Sequence, residues 1–330
     1  MEAMERILQS NIYIQPIHFF LAILTNTINI RILSSRTLRS SLCTYYFLIY
    51  SYLSLIYTCF ICPILFARGF SINYLNGSIN CKIFSYILFL LPLQANMMLI
   101  LASIDRYHSS SRLYSYQSME TITRLAKQHI VLTSLVCIVF TLPIVVIYHW
   151  NEHADKCLGR FHLISQIYTF SQILIYYILS PIVLIILGLS TINNIHRQFN
   201  HSVIVILSQR KRKRRTQWQL TRMLILQITA HLIFVLPFGF IYSLNTLIPS
   251  TLTANVIVLR LIFVAWQQCD YFVSFFLYVF SASIYREQFF RIICKSNRNF
   301  EQISFHRHQS ALIYTPSSSR TDDPFLQNFI

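Results

Sequence analysis

The fold is decided by one stretch, Cys81 to Tyr107, which reads CKIFSYILFLLPLQANMMLILASIDRY. Arg106 follows Cys81 by 25 residues, and at ~1.5 Å of rise per residue this separation is roughly 37 Å of α-helix. That length matches one bilayer, counting the hydrocarbon core and part of the interface. The stretch therefore predicts a transmembrane helix with a thiol at one membrane surface and the Asp105-Arg106 pair at the other.

The composition of the chain agrees with a membrane location. Of the 330 residues, 55% are hydrophobic and 12% are charged, whereas soluble domains carry about 25% charged residues. The 5 glycines leave little room for a phosphate-binding loop or a dinucleotide fingerprint, and neither pattern occurs. We expect an integral membrane protein without a cofactor, and enzymes that bind cofactors through glycine-rich loops are disfavoured.

Apolar segments of membrane-spanning length recur along the chain. The candidates are Ile12–Ile32, Thr44–Phe66, Cys81–Ile104, Ile130–Tyr148, Ile164–Ile192, Met223–Leu247 and Ala254–Tyr278. The sequence therefore predicts an all-α membrane protein, a bundle of seven transmembrane helices. An odd number of spans places the two chain termini on opposite sides of the membrane.

Positive charge predicts the orientation. The connections after spans one, three and five and the C-terminal tail carry most of the lysines and arginines. Such segments lie in the cytoplasm, so the N-terminus is predicted outside. The block Arg210–Arg215 before span six is then a topology determinant and a candidate contact for anionic lipids. A nucleic-acid role is disfavoured because membrane spans flank the block.

Three features fall on the predicted outer face. Asn76-Gly77-Ser78, between spans two and three, is a glycosylation acceptor. Cys81 and Cys157 are the only cysteines predicted at this surface. They form either a disulfide, which would tie span three to the connection between spans four and five, or two free thiols.

At this point the chain resembles the rhodopsin-like G-protein-coupled receptors, over roughly Asn26 to Cys294. That family bridges a third-helix cysteine to the second extracellular loop and ends the helix with Asp-Arg-Tyr. Cys81, Cys157 and Asp105-Arg106-Tyr107 match this pattern. The resemblance implies a plasma-membrane receptor that couples an extracellular ligand to a heterotrimeric G protein, with Asp105, Arg106 and Tyr107 at the inner switch. It also makes the block Arg210–Arg215 a candidate G-protein contact.

Other landmarks agree with the family less fully. Asn26 looks like its first-helix asparagine, and Pro181 and Pro237 look like its helix-kinking prolines in spans five and six. Of the seventh-span motif, Tyr278 remains, with Ser274 in place of the asparagine. The resemblance implies that Tyr278 belongs to the inner switch.

Several family positions are replaced. Ser54 stands where the second-span aspartate is usual, Val235 replaces the sixth-span tryptophan, and Gln217 lies near the place of the acid that would pair with Arg106. The resemblance therefore implies that the aromatic toggle and the ionic lock between spans three and six are absent.

Asp270 is an acid inside span seven, and an intramembrane carboxylate is by default a functional hypothesis. It is a polar substitute for the missing second-span acid. We predict an intramembrane polar cluster of Asn26, Ser54, Asp270 and Ser274; the alternative is a structural carboxyl that is merely satisfied.

The ligand class is narrowed by two absences. The family's amine-binding aspartate is replaced by Leu88, and the retinal-bearing lysine by Gln268. The chain looks most like the peptide-receptor branch, which implies a neuropeptide ligand. Candidate contacts near the outer halves of the spans are Gln94, Gln166, Asn245, Arg260, Trp266 and Gln267. Helix packing or lipid anchoring is the alternative for each.

The resemblance also divides the chain. It implies an extracellular N-terminus at 1–11, a receptor domain at 12–284, a short amphipathic eighth helix at 285–298 and a disordered cytoplasmic tail at 299–330. Cys294 is a palmitoylation candidate or an unmodified thiol. Serines and threonines of the tail are candidate phosphorylation sites for an arrestin-like partner, or belong to a plain tail.

Two other classes of protein compete with the receptor. A multi-span transporter or channel would use charged residues in several spans, broken helices or internal repeats, but Asp270 is nearly alone and no repeat is visible. A membrane enzyme would need a catalytic or metal-binding cluster, and the histidines are scattered without metal spacing. We therefore expect a receptor and no enzyme activity.

Overall fold

The computed structural model describes residues 2–35, 38–39, 41–70, 77–110, 119–151, 156–159, 162–201, 208–247 and 253–292. Two units are distinguished, Met1–Arg286 and Glu287–Ile330. The first unit contains all seven spans. In the second unit the backbone is helical at 287–292, where Arg291 pairs with Glu287 at 2.5 Å on an exposed surface.

The seven predicted spans are confirmed as long apolar helical segments. We number them one to seven: Gln9–Leu33, Leu42–Gly69, Ser78–Ser110, Thr123–Ile147, Leu163–Arg197, Trp218–Asn245 and Asn255–Ser281. Each is longer than the corresponding apolar run in the sequence, because helices continue beyond the hydrocarbon core. Span one belongs to the helix Glu2–Leu33, so most of the segment predicted as an N-terminal tail is helical.

Spans one to three are single helices, whereas spans four, five and seven are composite. The component helices are Met119–Thr141 and Pro143–Ile147 in span four, His162–Gln172, Ile173–Leu179 and Ser180–His201 in span five, and Ala254–Gln268 and Asp270–Ser281 in span seven. Span six lies within one helix, Ser208–Leu247. A further helical stretch covers 283–292; it overlaps the region 285–298 that was predicted as the eighth helix and begins two residues before it.

A β-hairpin follows span four, and the all-α prediction did not include it. Strand β1, Tyr148–Asn151, pairs antiparallel with β2, Lys156–Gly159. Tyr148, predicted as the last residue of span four, belongs to this strand. The aromatic residues Tyr148 and Trp150 favour extended backbone, which explains why the apolar run outlasts the helix.

Span five contains a π-helical stretch, Ile173–Leu179, which ends just before Pro181. Extra residues of this kind shift the direction of the side chains that follow. The ring of Tyr177 lies against Gly239 of span six so closely that a Cβ atom there would overlap it. Spans five and six can therefore pack this tightly only with glycine at position 239.

The core is apolar and the lipid side is apolar as well. Leu93, Cys137, Tyr176 and Val235 form a buried cluster from spans three to six. On the outside, large side chains such as Phe280, 74% exposed, remain uncovered by protein. Exposed apolar surface on this scale is typical of a membrane protein, so the chain is a multi-pass membrane protein.

Candidate functional site

The outer end of span three is tied to the hairpin. Cys81 forms a disulfide with Cys157, with the two Cα atoms 5.7 Å apart. Cys157 pairs with Trp150 across the hairpin, and its sulfur lies 3.6 Å from the Ser85 hydroxyl. The hairpin is therefore held against span three at the predicted outer surface.

The inner end of span three carries Asp105 and Arg106 in buried positions. The Arg106 guanidinium donates to Oδ2 of Asp105 from Nη2 at 2.5 Å and from Nε at 3.1 Å. Nη2 also donates to the Ser41 hydroxyl at 2.6 Å. Because charge-assisted hydrogen bonds are roughly twice as strong as neutral ones, the guanidinium is held firmly at the base of span two.

Asp105 also caps span two. Its Oδ2 atom accepts a hydrogen bond from the backbone N–H of Cys43 at 3.2 Å. Ser41, at the N-cap position, makes no side-chain cap bond, and the N-terminus of a helix favours a carboxylate. One carboxylate therefore joins Arg106 to the first turn of span two.

The two tyrosines predicted for the switch have different surroundings. Tyr107 is half-buried, with its ring centroid 5.7 Å from that of His108. Tyr278 is fully buried, with its ring centroid 5.3 Å from that of Phe47 and 5.6 Å from that of Tyr285. Spans two and seven and the segment after span seven therefore meet around Tyr278.

The middle of the bundle holds a carboxylate shared by three spans. Oδ2 of Asp270 in span seven lies 2.7 Å from Nδ1 of His231 in span six. It also accepts a hydrogen bond from the Tyr50 hydroxyl of span two at 3.1 Å. Gln227 donates to the same hydroxyl at 3.4 Å. Asp270 is 2% exposed and His231 4% exposed, so this buried pair links spans six and seven.

Two members of the predicted polar cluster bind elsewhere. Asn26 donates to the carbonyl oxygen of Tyr271 at 2.8 Å. Ser274 accepts a hydrogen bond from Asn29 at 3.3 Å. These bonds fasten span one to span seven without using the carboxylate of Asp270.

Ser54, the third residue predicted to accompany Asp270, is satisfied inside its own helix. Its hydroxyl donates to the carbonyl oxygen of Tyr50 at 2.8 Å, an i−4 bond that serines in helices often make. The predicted membership of the cluster is therefore corrected: the side-chain partners of Asp270 are Tyr50 and His231. Asn26 and Ser54 donate to backbone carbonyls and Ser274 accepts from Asn29, so these described bonds do not involve the acid.

The helix of span six passes through Pro237, which has no N–H to donate to the carbonyl of Ile233. The indole Nε1 of Trp266 in span seven donates to that carbonyl at 3.1 Å. The Trp266 ring also packs against Phe234, with centroids 5.1 Å apart. Span seven therefore supplies the donor that the proline removes from span six.

The outer ends of spans six and seven contain the polar residues Asn245 and Arg260. Asn245 is buried, and neither atom of its amide has a partner among the described residues. The Arg260 guanidinium lies over the Tyr242 ring, 5.2 Å from the centroid. Burial raises the pKa of Tyr148 in β1, and the nearby charge of Arg260 opposes that shift. Arg260 therefore lies between span six and the hairpin.

The remaining predicted ligand contacts are spread over the outer half. Gln94 of span three is buried, whereas Gln166 of span five is exposed. Gln267 interacts with the hydroxyl of Tyr176 in span five. The structure thus places Gln94, Gln267 and Tyr176 inside the bundle and Gln166 on its surface.

Some predicted sites lie outside the described residues. These are the acceptor Asn76, the thiol of Cys294 and the tail at 299–330. The block Arg210–Arg215 belongs to the helix Ser208–Leu247, but its side chains are not among those described.

Tyr50 and His231 were not predicted as site residues. Each is a polar residue inside an otherwise apolar span, and His231 is an ionisable one. A buried acid needs a partner, so the joint presence of His231 and Asp270 in neighbouring spans was an available signal. Tyr50 carried no such signal, because span two contains several other tyrosines and the chain has 20 of them.

The family match agrees with this geometry. The model described as 7 transmembrane receptor (rhodopsin family) matches residues 26–271, and the chain belongs to this family. Membership implies coupling to a heterotrimeric G protein and an extracellular ligand, and rhodopsin-family members are receptors rather than enzymes. A search of curated proteins found no match to the chain.

Proposed function

We propose that this receptor resides in the plasma membrane and converts the binding of an extracellular neuropeptide into activation of a heterotrimeric G protein. The observation that carries the coupling half is the buried Arg106, held by Asp105 and Ser41. While the Arg106 guanidinium binds Asp105 and Ser41 inside the bundle, it does not contact a G protein. A rearrangement that frees it creates a new cationic contact at the inner face.

The proposed mechanism is a two-state equilibrium of the helix bundle. Span six swings about Pro237, an inner cleft opens, and Arg106 contacts the G protein beside Tyr107 and Tyr278. A ligand shifts this equilibrium only by its difference in affinity for the two states, and coupling between the outer and inner sites is reciprocal. Ligand binding and G-protein binding must therefore strengthen each other.

The outer polar groups support a peptide ligand. Asn245 offers an amide donor and an amide acceptor, neither satisfied by a described residue, which is the complement of a peptide backbone unit. Arg260, over Tyr242, would meet an acidic side chain or a carboxylate. Further proposed contacts are Gln94, Gln166, Trp266 and Gln267. For Trp266 the contact would be through the ring, since its N–H already binds Ile233.

The proposal includes the chain's organisation and its modifications. We retain an extracellular N-terminus at 1–11, a receptor domain at 12–284, an amphipathic eighth helix at 285–298 and a cytoplasmic tail at 299–330. Glycosylation at Asn76, palmitoylation at Cys294, binding of anionic lipids at Arg210–Arg215 and recruitment of an arrestin-like protein by the tail complete it. A transporter or channel is not favoured by the family match.

The test uses the full-length protein in lipid nanodiscs with purified G proteins of the main classes. A library of neuropeptides, both amidated and with free carboxyl ends, is screened for stimulated nucleotide exchange. With an active peptide in hand, Arg106→Ala is expected to abolish stimulated exchange while peptide binding survives, because Arg106 lies at the inner end of span three. Asn245→Ala is expected to weaken peptide binding.

Arg68→Ala is the matched control. It removes an exposed arginine from the opposite end of span two, so exchange should be unchanged. Normal exchange in Arg106→Ala would contradict the switch. A library without an active peptide, together with activation by an amine or a lipid, would contradict the ligand class.

A further inference from the structure

The inner end of span six is bound to the segment that follows span seven. Gln219 of span six makes two hydrogen bonds with this segment through its side-chain amide. Its Nε2 donates to the Ser283 hydroxyl at 2.5 Å, and its Oε1 accepts a hydrogen bond from the backbone N–H of Ile284 at 3.2 Å. A two-point contact of this kind fixes both the position and the orientation of the glutamine.

The second contact satisfies a need of the local backbone. Ala282 precedes the helical stretch 283–292 with extended dihedral angles, φ −123° and ψ 114°, and its carbonyl accepts the bond from the N–H of Arg286. It therefore occupies the N-cap position, where serine, threonine, aspartate or asparagine usually satisfies a first-turn N–H. The methyl group of alanine cannot do so, and Gln219 of another helix supplies the cap.

The other side of this contact is anchored to the rest of the bundle. The hydroxyl of Tyr285 donates to Oδ1 of Asn29 in span one, and Asn29 donates to Ser274 in span seven. Tyr285 is fully buried and its ring packs against Tyr278. Ser283 and Ile284 are therefore held in place by spans one and seven, so that Gln219 ties span six to a fixed point.

We propose that Gln219 is a positioning residue that holds span six in the closed arrangement, by bridging the inner end of span six to the junction after span seven. This inference rests on the proposed function, in which span six moves outward. Such a movement separates Gln219 from Ser283 and Ile284 and breaks both hydrogen bonds. Gln219 therefore connects span six to spans one and seven through the junction after span seven.

The contact of Gln219 with the junction affects the fraction of receptors in which span six is closed, and it does not contribute to a ligand-binding site. Two hydrogen bonds of ordinary net strength shift a two-state equilibrium about tenfold. Removing them raises the fraction of receptors with span six open by about that factor, without ligand and without G protein. The uncovered N–H of Ile284 is then exposed at the inner cleft.

The experiment measures the distance between spans four and six in the full-length protein in nanodiscs, without ligand or G protein. Nitroxide labels are attached at the exposed positions Arg124 and Arg222 through unnatural amino acids, so that the native cysteines remain. Pulsed electron resonance gives the distance distribution. Gln219→Ala and Gln219→Met are expected to raise the longer-distance population about tenfold over the wild type.

Two further variants separate the bridge from general damage to span six. In Gln219→Glu a carboxylate accepts from Ile284 N–H and from the Ser283 hydroxyl, which can rotate to donate; the closed distribution should be retained. Thr229→Ala removes an exposed hydroxyl that binds its own helix at Ile225, and should also leave the distribution unchanged. The comparison of methionine with glutamate at position 219 remains decisive if the alanine variant fails to fold.

An unchanged distribution in the alanine or methionine variant overturns the inference, as does an equal opening in the glutamate variant. These outcomes can be told apart from a failure of G-protein coupling, because no G protein is present in the distance measurement. Normal nucleotide exchange in the Arg106→Ala variant would instead overturn the proposed switch at Arg106 and would leave the distance result unaffected.

Discussion

Spans three and seven have opposite relations to the rhodopsin-family pattern. Span three is one unbroken helix, Ser78–Ser110, and it keeps the cysteine at its outer end and Asp105-Arg106-Tyr107 at its inner end. Span seven is interrupted at Cys269 between two helices and keeps little of the family motif beyond Tyr278. Yet span seven and the residues after it make several of the described side-chain bonds that hold span six.

The most complete family motifs and many of the contacts of span six therefore lie on different helices. The cysteine and the Asp-Arg-Tyr motif of span three bind the hairpin and span two. Among the described side-chain links to span six, three come from Trp266 and Asp270 in span seven and from Ser283 beyond it. A further link comes from Tyr50 of span two, which accepts a hydrogen bond from Gln227. A substitution at one of these contacts of span six can therefore change the resting arrangement of the helices, although it leaves the motifs of span three unchanged.

The largest loss of stability is expected when the disulfide at the outer end of span three is removed. Replacing both Cys81 and Cys157 with serine opens a loop whose ends are 76 residues apart in sequence. The chain-entropy argument predicts a loss of about 4 kcal/mol of stability. Unfolding by detergent titration, followed by intrinsic fluorescence, measures this loss, and surface expression should fall with it.

Cys59→Ala provides the control for that experiment, since Cys59 is an exposed free cysteine in span two. Its stability should stay within about 0.5 kcal/mol of the wild type. A double serine variant as stable as Cys59→Ala would show that the outer end of span three does not depend on the disulfide.

A smaller but still large effect is expected at the shared carboxylate of span seven. His231→Leu removes a buried partner of Asp270 and should cost about 3 kcal/mol, because a buried acid loses its hydrogen-bond partner in span six. Replacing both residues with leucine should recover much of this loss, since neither polar group of the pair is left and Tyr50 retains Gln227 as a partner.

The four proteins of this cycle, wild type, two single variants and the double variant, give the coupling energy directly. We expect about 2 kcal/mol of coupling in the same detergent titration. Additive losses would mean that spans six and seven are not joined through this pair, and the contrast between spans three and seven would weaken accordingly.

The sequence alone predicted the parts of this fold that depend on periodicity and bilayer length. All seven spans followed from apolar runs, because a span that exposes backbone polar groups to lipid is too costly to occur. The hairpin was not predicted, since the aromatic residues at Tyr148 and Trp150 also suit the end of an apolar helix.

The candidate site was predicted less completely, for a physical reason. Asp270 was recognised because an acid inside a span is rare, but its partners depend on which faces of spans two and six turn inward. Gln219 and Trp266 act on backbone atoms, the N–H of Ile284 and the carbonyl of Ile233. No residue identity at the receiving end signals such contacts, so only the packed structure reveals them.

The smallest effect, and the sharpest test of span seven's role, is expected at the hinge. Trp266→Phe keeps an aromatic ring against Phe234 but removes the N–H that serves the carbonyl of Ile233. The expected loss is about 1 kcal/mol of stability, one hydrogen bond to a group that Pro237 has left without its helical donor. Detergent titration is again the measurement.

Pro237→Ala supplies the matched background, because alanine restores the N–H that satisfies Ile233 within span six. In that background Trp266→Phe should cost almost nothing, and the difference between the two costs is the part of the tryptophan's contribution that depends on the proline. Equal costs in both backgrounds would assign the effect of Trp266 to ring packing against Phe234. Span seven would then support the hinge of span six through this ring packing, and the carbonyl of Ile233 would not depend on the indole N–H.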